Sequence, residues 1–215
     1  MDKDLPSEKL VYITDGEERL EGELEIPIGA KGCVVFAHGS GSNRHSPRNY
    51  LFAEYLRKHG FGTLRLDLLT PLEGAFPDNQ FDIGLMARRL IAANQWLREQ
   101  EETKSLPLGY FGSSTGAAAA IAAATKEKGQ VSVIVSRGGR PDLAWDYLGM
   151  IDIPILFIVG EFDDVVIKMN EKAYEEIRGI KRLEIIPRTT HLFVEPGTLE
   201  KAANLAAVWF EKYLQ

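Results

Sequence analysis

The chain has 215 residues, of which 45% are hydrophobic and 26% are charged, and its formal net charge is -6. This length and composition are ordinary for a globular protein, so we expect residues 1–215 to form a single domain with a substantial core. The acidic balance and the lack of a basic tract argue against a nucleic-acid partner, because phosphate binding depends on clustered Lys and Arg.

The sequence also argues against a membrane partner, a metal and a cofactor. The start, MDKDLPSEKL, has neither the basic nor the apolar segment of a signal peptide, and no apolar run is long enough to span a bilayer. The four histidines show no metal-ligand spacing, and Cys33, the single cysteine, lies in the apolar run CVVFA. We therefore expect a cytoplasmic protein in which Cys33 is a core residue.

A hairpin and a series of buried strands are predicted in chain order. Residues 9–14 and 19–26 alternate apolar and polar side chains around Asp15-Gly16, which is typical of an antiparallel hairpin at a sheet edge. Short apolar runs predict buried strands at 33–37, 61–67, from Leu106 onward, 131–136, 153–159 and 182–186. Their alternation with helical patterns predicts an α/β fold: a mostly parallel sheet with helices on both faces.

The helices are predicted to start at residues that commonly cap or open a helix. Their predicted starts are Ser46-Pro47, Asp78 or Asn79, the alanine-rich run after Ser114, Lys168, and Thr198. Residues 68–79 are predicted to form a long loop. The segment between the strands at 131–136 and 153–159 has room only for a loop and a short helix, which excludes a large lid domain at that point.

The pentapeptide Gly112-Ser113-Ser114-Thr115-Gly116 matches the pattern G-x-S-x-G between an apolar run and an alanine-rich helix. In this pattern the serine occupies the tip of a strained strand-to-helix turn, and glycine is needed on both sides because those positions almost touch. The N-terminal end of the helix favours negative charge beside the serine. Ser114 is therefore the candidate nucleophile, and a flexible Gly/Ser loop is the alternative.

A serine nucleophile requires a base and an acid that orients the base. Asp163 follows the predicted strand at 153–159, and His191 follows the last predicted strand, so both are expected at the edge where Ser114 lies. We predict Asp163 as the acid and His191 as the base, although each could separately be an ordinary loop residue. Asp164 and then Glu161 remain alternatives to Asp163, because strand ends predicted from sequence err by two residues or more.

The oxyanion formed during attack needs fixed hydrogen-bond donors. The N–H of Thr115 is one candidate. The N–H of Ser40 is the second, because it lies in the glycine-rich loop after the strand at 33–37, where a close backbone approach is possible. This loop lacks the pattern of a phosphate-binding P-loop, and a plain glycine-rich turn is the alternative.

Together, His38-Gly39, Gly112-x-Ser114-x-Gly116, Asp163 and His191 resemble a lidless α/β-hydrolase, similar to proteins of the dienelactone hydrolase family. The resemblance covers nearly the whole chain and implies a Ser-His-Asp hydrolase of esters or related acyl compounds. Dienelactone hydrolases proper have cysteine at the nucleophile position. Serine at position 114 favours a general carboxylesterase activity on a small acyl substrate.

Two other functions use the same residues or the same fold. A thioesterase or a peptidase would need the same triad with a different pocket, and a non-catalytic binding domain would keep only the fold. Arg137, Arg140 and Arg48 follow predicted strand ends or a helix start near the site, so a substrate carboxylate could bind them. The alternative for these arginines is a structural ion pair, with Asp67 or Asp142.

Overall fold

The sheet is the frame of the molecule. The computed structural model describes residues 8–215, and within them eight strands form one sheet in the order β1-β2-β4-β3-β5-β6-β7-β8. The strands are β1 (Lys9–Asp15), β2 (Glu18–Glu25), β3 (Cys33–Ala37), β4 (Gly62–Leu66), β5 (Leu108–Ser113), β6 (Val133–Arg137), β7 (Ile155–Gly160) and β8 (Lys181–Ile186). The prediction that a signal peptide is absent was made on residues 1–10, of which residues 1–7 lie outside the described residues.

Seven α-helices and two 3₁₀ turns connect the strands within the described residues. The helices are α1 (Pro47–Lys58), α2 (Pro71–Gly74), α3 (Ile83–Glu99), α4 (Thr115–Lys126), α5 (Trp145–Leu148), α6 (Asp164–Glu176) and α7 (Thr198–Tyr213), and the 3₁₀ turns are Pro77–Phe81 and Pro141–Ala144. None of these helices combines the length and hydrophobicity needed to cross a membrane.

The strand pairing confirms the predicted α/β architecture. Strands β1 and β2 form an antiparallel hairpin, and β2 also pairs antiparallel with β4. All other pairs, from β4 through β3 to β8, are parallel. The carboxyl ends of the six parallel strands therefore lie at one edge of the sheet, where the loops that carry the candidate site residues begin.

Each face of the sheet is covered by a separate apolar layer. One layer packs the sheet against α3, α4, α5 and the inner side of α6, and the other packs it against α1 and α7. Cys33 is fully buried in the first layer, as predicted, and burial raises the pKa of its thiol to about 12. Such a thiol is inert, because the reactive form is the thiolate.

Residues 68–79 are not the plain loop that was predicted. Helix α2 and the first 3₁₀ turn lie in or across this segment, and Thr70 and Glu73 form a capping box in which each side chain accepts from the other's backbone N–H. The predicted caps Asp78 and Asn79 are wrong for α3. Asp82 caps it instead, with its side chain accepting the N–H of Leu85 at 2.8 Å.

Two further helix starts differ from the prediction. Helix α6 begins at Asp164 rather than Lys168, because Asp163 precedes it and its carbonyl accepts the N–H of Ile167 at 2.9 Å. The residue before α7 is Gly197, with φ 77°, rather than a capping Thr198. The Thr198 hydroxyl donates backward to the Glu195 carbonyl at 2.7 Å. The prediction of a single domain for residues 1–215 stays a prediction.

Candidate active site

Ser114 occupies a strained turn between β5 and α4. Its backbone has φ 51° and ψ -123°, a conformation that is unfavourable for a residue with a Cβ. Gly112 allows the two sides of the turn to approach, and Gly116 allows the start of α4 to pack against the end of β3. A Cβ on Gly112 would lie 2.5 Å from the Cα of Ala117, and one on Gly116 would lie 2.2 Å from the carbonyl oxygen of Ala37. The predicted sharp strand-to-helix turn is present.

Replacing Gly116 with alanine tests this packing. Helix propensity alone favours alanine by about 1 kcal/mol at a helical position, but here the added Cβ would overlap the β3 backbone. We expect Gly116→Ala to lower the free energy of unfolding by about 3 kcal/mol or more, measured by urea unfolding. Gly149→Ala is the matched control, because it has φ -67° and open space around its Cα. Equal stabilities of the two variants would contradict the close packing of Gly116 against β3.

Asp163 and His191 are hydrogen bonded although they are far apart in the sequence. Nδ1 of His191 lies 2.5 Å from Oδ2 of Asp163. The Asp163 side chain is mostly buried, whereas Asp164 is exposed in the first turn of α6. The imidazole lies over Gly138, where a Cβ would be 3.3 Å from Cε1 of His191. This arrangement holds one ring nitrogen against a carboxylate and leaves Nε2 for other chemistry.

Contacts between two loops hold His191 in this position. A Cβ on Gly160 would lie 2.4 Å from the carbonyl oxygen of Thr189, so glycine permits the loop after β8 to cross the end of β7. The N–H of Phe162 donates to the same carbonyl at 2.9 Å. Glu161, the third-ranked alternative acid, instead accepts the N–H of Arg188 at 2.6 Å. The loop that carries His191 is therefore bound to the loop that carries Asp163.

The backbone joins Ser114 to the same region. The N–H of Ser114 lies 3.4 Å from the carbonyl oxygen of Arg137, which immediately precedes Gly138, the residue beneath the imidazole. The hydrogen bonds of residues 8–215 include none between Oγ of Ser114 and Nε2 of His191. Such a contact is often long in an enzyme without substrate and shortens when substrate binds.

The loop after β3 lies against Ser114. A Cβ on Gly39 would be 2.8 Å from Cβ of Ser114 and 3.5 Å from its Oγ, so only glycine allows this approach. The N–H of Ser40 donates to Oγ1 of Thr115 at 2.9 Å. The residues that carry the two predicted oxyanion donors, Ser40 and Thr115, are therefore in contact. The sequence did not indicate that the Thr115 hydroxyl would accept the hydrogen bond of the Ser40 N–H.

His38 fixes the position of this loop. Its Nε2 accepts the N–H of Leu68 at 2.9 Å, which leaves the proton on Nδ1, 3.0 Å from the carbonyl oxygen of Gly39. Burial lowers the pKa of His38, so the ring is held in its neutral form. His38 is therefore a structural link between the β3 and β4 loops, with both ring nitrogens bound to backbone groups.

The three arginines predicted to bind substrate differ in their surroundings. Arg140 forms a bidentate ion pair with Asp142 at 2.9 and 2.8 Å, which is the alternative that the sequence left open for this residue. Arg137 is buried, and Nε of Arg137 and Nε of Arg48 have no hydrogen-bond partner in the described part of the chain. Asp67 pairs with Arg44 rather than Arg48. Arg137 and Arg48 are the arginines left for an anionic ligand.

Comparison with known proteins gives both a fold and a family. No protein-family model matches the chain. Two Mycobacterium tuberculosis proteins, from strains CDC 1551 and H37Rv, bear the name "Putative phosphoribosyl transferase" and are 52% identical over 204 residues. The match covers 95% of this chain but 46% of each relative, so the chain spans about half the length of these curated relatives.

Solved structures match over the full length. The esterase Est1E from Butyrivibrio proteoclasticus is 15% identical, covers 94% of this chain and 98% of its own, and has a TM-score of 0.81, which shows the same fold. A dienelactone hydrolase from Anabaena variabilis is 50% identical, with a TM-score of 0.94 over 98% of this chain and 100% of that one. The chain therefore has the α/β-hydrolase fold and belongs to the dienelactone hydrolase family.

Proposed function

We propose that this protein is a serine hydrolase that cleaves carboxylic esters through an acyl-enzyme. Ser114 is the nucleophile, His191 the general base and Asp163 the acid that orients the base. The observation that carries the proposal is the 2.5 Å contact between Nδ1 of His191 and Oδ2 of Asp163. It lies at the same edge of the sheet as Ser114, whose backbone is held at φ 51°. A strained backbone costs free energy of folding, and such strain clusters at active sites.

In the first step, Nε2 of His191 removes the proton from Oγ of Ser114 as Oγ attacks the ester carbonyl. Asp163 accepts the proton of Nδ1 in a hydrogen bond, so Nε2 is the unprotonated nitrogen and the imidazolium that forms is stabilised. The tetrahedral intermediate then collapses. Its C–O bond to the alcohol breaks, and the proton on Nε2 goes to the departing oxygen.

The negative oxygen of the intermediate is stabilised by backbone donors. Thr115 is the first residue of α4, so its N–H has no partner within the helix and points with the positive end of the helix dipole. Ser40 N–H is the second donor. Since it now binds the Thr115 hydroxyl, the substrate oxygen must share or replace that bond. Each such donor lowers the barrier by about 2.7–4 kcal/mol in other hydrolases.

In the second step, water replaces the alcohol. Nε2 takes a proton from the water as its oxygen attacks the acyl carbon, and the same proton returns to Oγ of Ser114 when the carboxylic acid leaves. A cavity of about 340 Å³ lies beside the oxyanion loop, lined by Ser40, Ser42, Thr70 and Met86 among others. We assign this cavity to one arm of the ester, because it opens next to the proposed oxyanion donors.

The alternatives differ in pocket or in chemistry. A thioesterase or peptidase would use the same three residues, and the substrate arm in the cavity would decide among them. The transferase name of the mycobacterial relatives describes proteins about twice as long, of which this chain matches 46%. The contact between His191 and Asp163, with Ser114 at the same edge of the sheet, favours hydrolysis for this chain.

A fluorophosphonate probe tests the proposal directly. The probe reacts with an activated serine, so we expect covalent labelling of Ser114 and none of the adjacent Ser113, determined by mass spectrometry of the digested protein. Turnover is then measured with short and long acyl esters, thioesters and peptides. Failure of the probe to label native protein would contradict a catalytic serine and favour the non-catalytic binding domain.

A further inference from the structure

Three arginine side chains are buried among the described residues: Arg65, Arg89 and Arg137. Arg89 pairs with Asp15 and Glu73, and Arg65 pairs with three glutamates. Nε lacks a hydrogen-bond partner in all three within residues 8–215, but Arg137, which is 6% exposed, is the one that forms no ion pair there. Burying a guanidinium without a counter-charge is strongly unfavourable, and a bound anion would remove this cost.

The contact that Arg137 does make cannot replace an anion. Its guanidinium carbon lies 5.3 Å from the centre of the Phe193 ring, a cation–π arrangement. Such a contact contributes about 2 kcal/mol when desolvated, which is less than the several kcal/mol that burying an ion costs. Burial, with a smaller effect from the positive charge of Arg48, lowers the pKa of Arg137 to about 10. Arg137 thus stays protonated at neutral pH, close to a second positive charge.

Arg48, the second positive charge, also forms no ion pair within residues 8–215. Arg48 lies in the first turn of α1, where the positive end of the helix dipole disfavours a cation, and that turn has no acidic residue. Its Nε is buried without a hydrogen-bond partner in the described part of the chain. Ser46, the residue before α1, makes no side-chain capping bond. Because Pro47 has no N–H, the N–H groups of Arg48 and Asn49 are the ones left without a helical partner at this end of the 12-residue helix.

We infer that Arg137, Arg48 and the N-terminal end of α1 bind a phosphate monoester group of the substrate. Two guanidinium groups and a helix N-terminus match the charge and the acceptor oxygens of a phosphate dianion better than those of a singly charged carboxylate. The inference rests on the proposed function, because it makes the substrate an ester that also carries a phosphate.

The position of Arg137 connects this group to the reacting serine. Arg137 ends β6 directly beside Ser113 in the sheet, and its carbonyl faces the N–H of Ser114. Phe193, which its guanidinium covers, lies two residues after His191. A phosphate held here would fix the substrate next to the ester bond that is cleaved. Arg140, which has Asp142 as its partner, is not needed for this site.

The binding test uses inorganic phosphate as the probe and does not depend on hydrolysis. At constant ionic strength, phosphate should raise the melting temperature of the native protein and of Ser114→Ala saturably, by about 5–10 °C at 100 times Kd, compared with chloride. Arg137→Met and Arg48→Gln should lose this rise. Arg182→Gln, a change at an exposed arginine of β8, controls for net charge and should keep it.

Removing an unpartnered buried charge should leave Arg137→Met folded, with a melting temperature in chloride at or above that of the native protein. Kinetics give the second readout: kcat/KM for a phosphate-bearing ester should exceed that for its neutral analogue by about 10-fold or more, and the ratio should fall to about one in both variants. The inference is overturned if phosphate produces no saturable rise, if acetate produces an equal one, or if Arg137→Met and Arg48→Gln keep it. Phosphate binding by a protein that hydrolyses no ester would instead overturn the proposed function alone.

Discussion

Ser114→Ala is expected to lower kcat for ester hydrolysis by about 10⁴-fold or more, which corresponds to about 5.5 kcal/mol of transition-state stabilisation. The reason is that alanine has no hydroxyl, so the imidazole of His191 has no nucleophile to activate at position 114. The fold should be unchanged, because serine and alanine both carry a Cβ and so share the strain of φ 51° at this position. Steady-state kinetics and thermal unfolding of both proteins give the two measurements.

Ser113→Ala is the matched control for this prediction. Ser113 is the neighbouring hydroxyl, but it is the last residue of β5 and is 4% exposed, so it is packed within the sheet. We expect Ser113→Ala to retain kcat within a few-fold, with a small change in stability. Full esterase activity in Ser114→Ala, or an equal loss in both variants, would contradict the assignment of Ser114.

The sheet could be predicted from sequence because its signal is local. The apolar run CVVFA gives β3 with both ends correct, and the predicted ends of β4, β6, β7 and β8 are correct to within two residues. The predicted burial is wrong for β8, which is an edge strand with only Ile186 buried. Both faces of a fully buried parallel strand are covered, so its sequence is a continuous run of apolar residues that is easily recognised. Helix starts were harder to predict. Asp82, rather than Asp78 or Asn79, caps α3, because several adjacent residues have suitable side chains and only the chain path selects one.

The site could be predicted only as far as chain order and strand ends allow. They indicate which loops carry Ser114, Asp163 and His191, since parallel strands bring their carboxyl ends together. The glycines that let these loops cross were missed: Gly160 beneath Thr189, and Gly138 beneath the imidazole. Each is a single residue whose meaning depends on a segment about 30 or more positions away. No periodicity in the sequence marks such a contact.

The arginines show the same limit. The pair Arg140 and Asp142 lies two residues apart, so the alternative of an ion pair was available from sequence. That Arg44 would take Asp67 and leave Arg48 without a carboxylate depends on how α1 and β4 pack, which sequence spacing does not give. Unpartnered charges are properties of the folded chain, so the sequence indicated three candidate arginines, and the structure was needed to separate Arg137 and Arg48 from Arg140.

Asp163→Asn is expected to reduce kcat by about 10⁴-fold with little change in KM. An asparagine amide can donate to Nδ1 of His191, which favours the tautomer with its proton on Nε2, and that nitrogen then cannot accept the proton of Ser114. Asp164→Asn is the matched control. Asp164 is exposed in the first turn of α6, where its negative charge stabilises the helix by about 0.3–1 kcal/mol through the helix dipole. This variant should therefore have a slightly lower free energy of unfolding and an unchanged kcat. The reverse pattern in steady-state kinetics would reassign the acid to Asp164, although only Asp163 lies 2.5 Å from the imidazole.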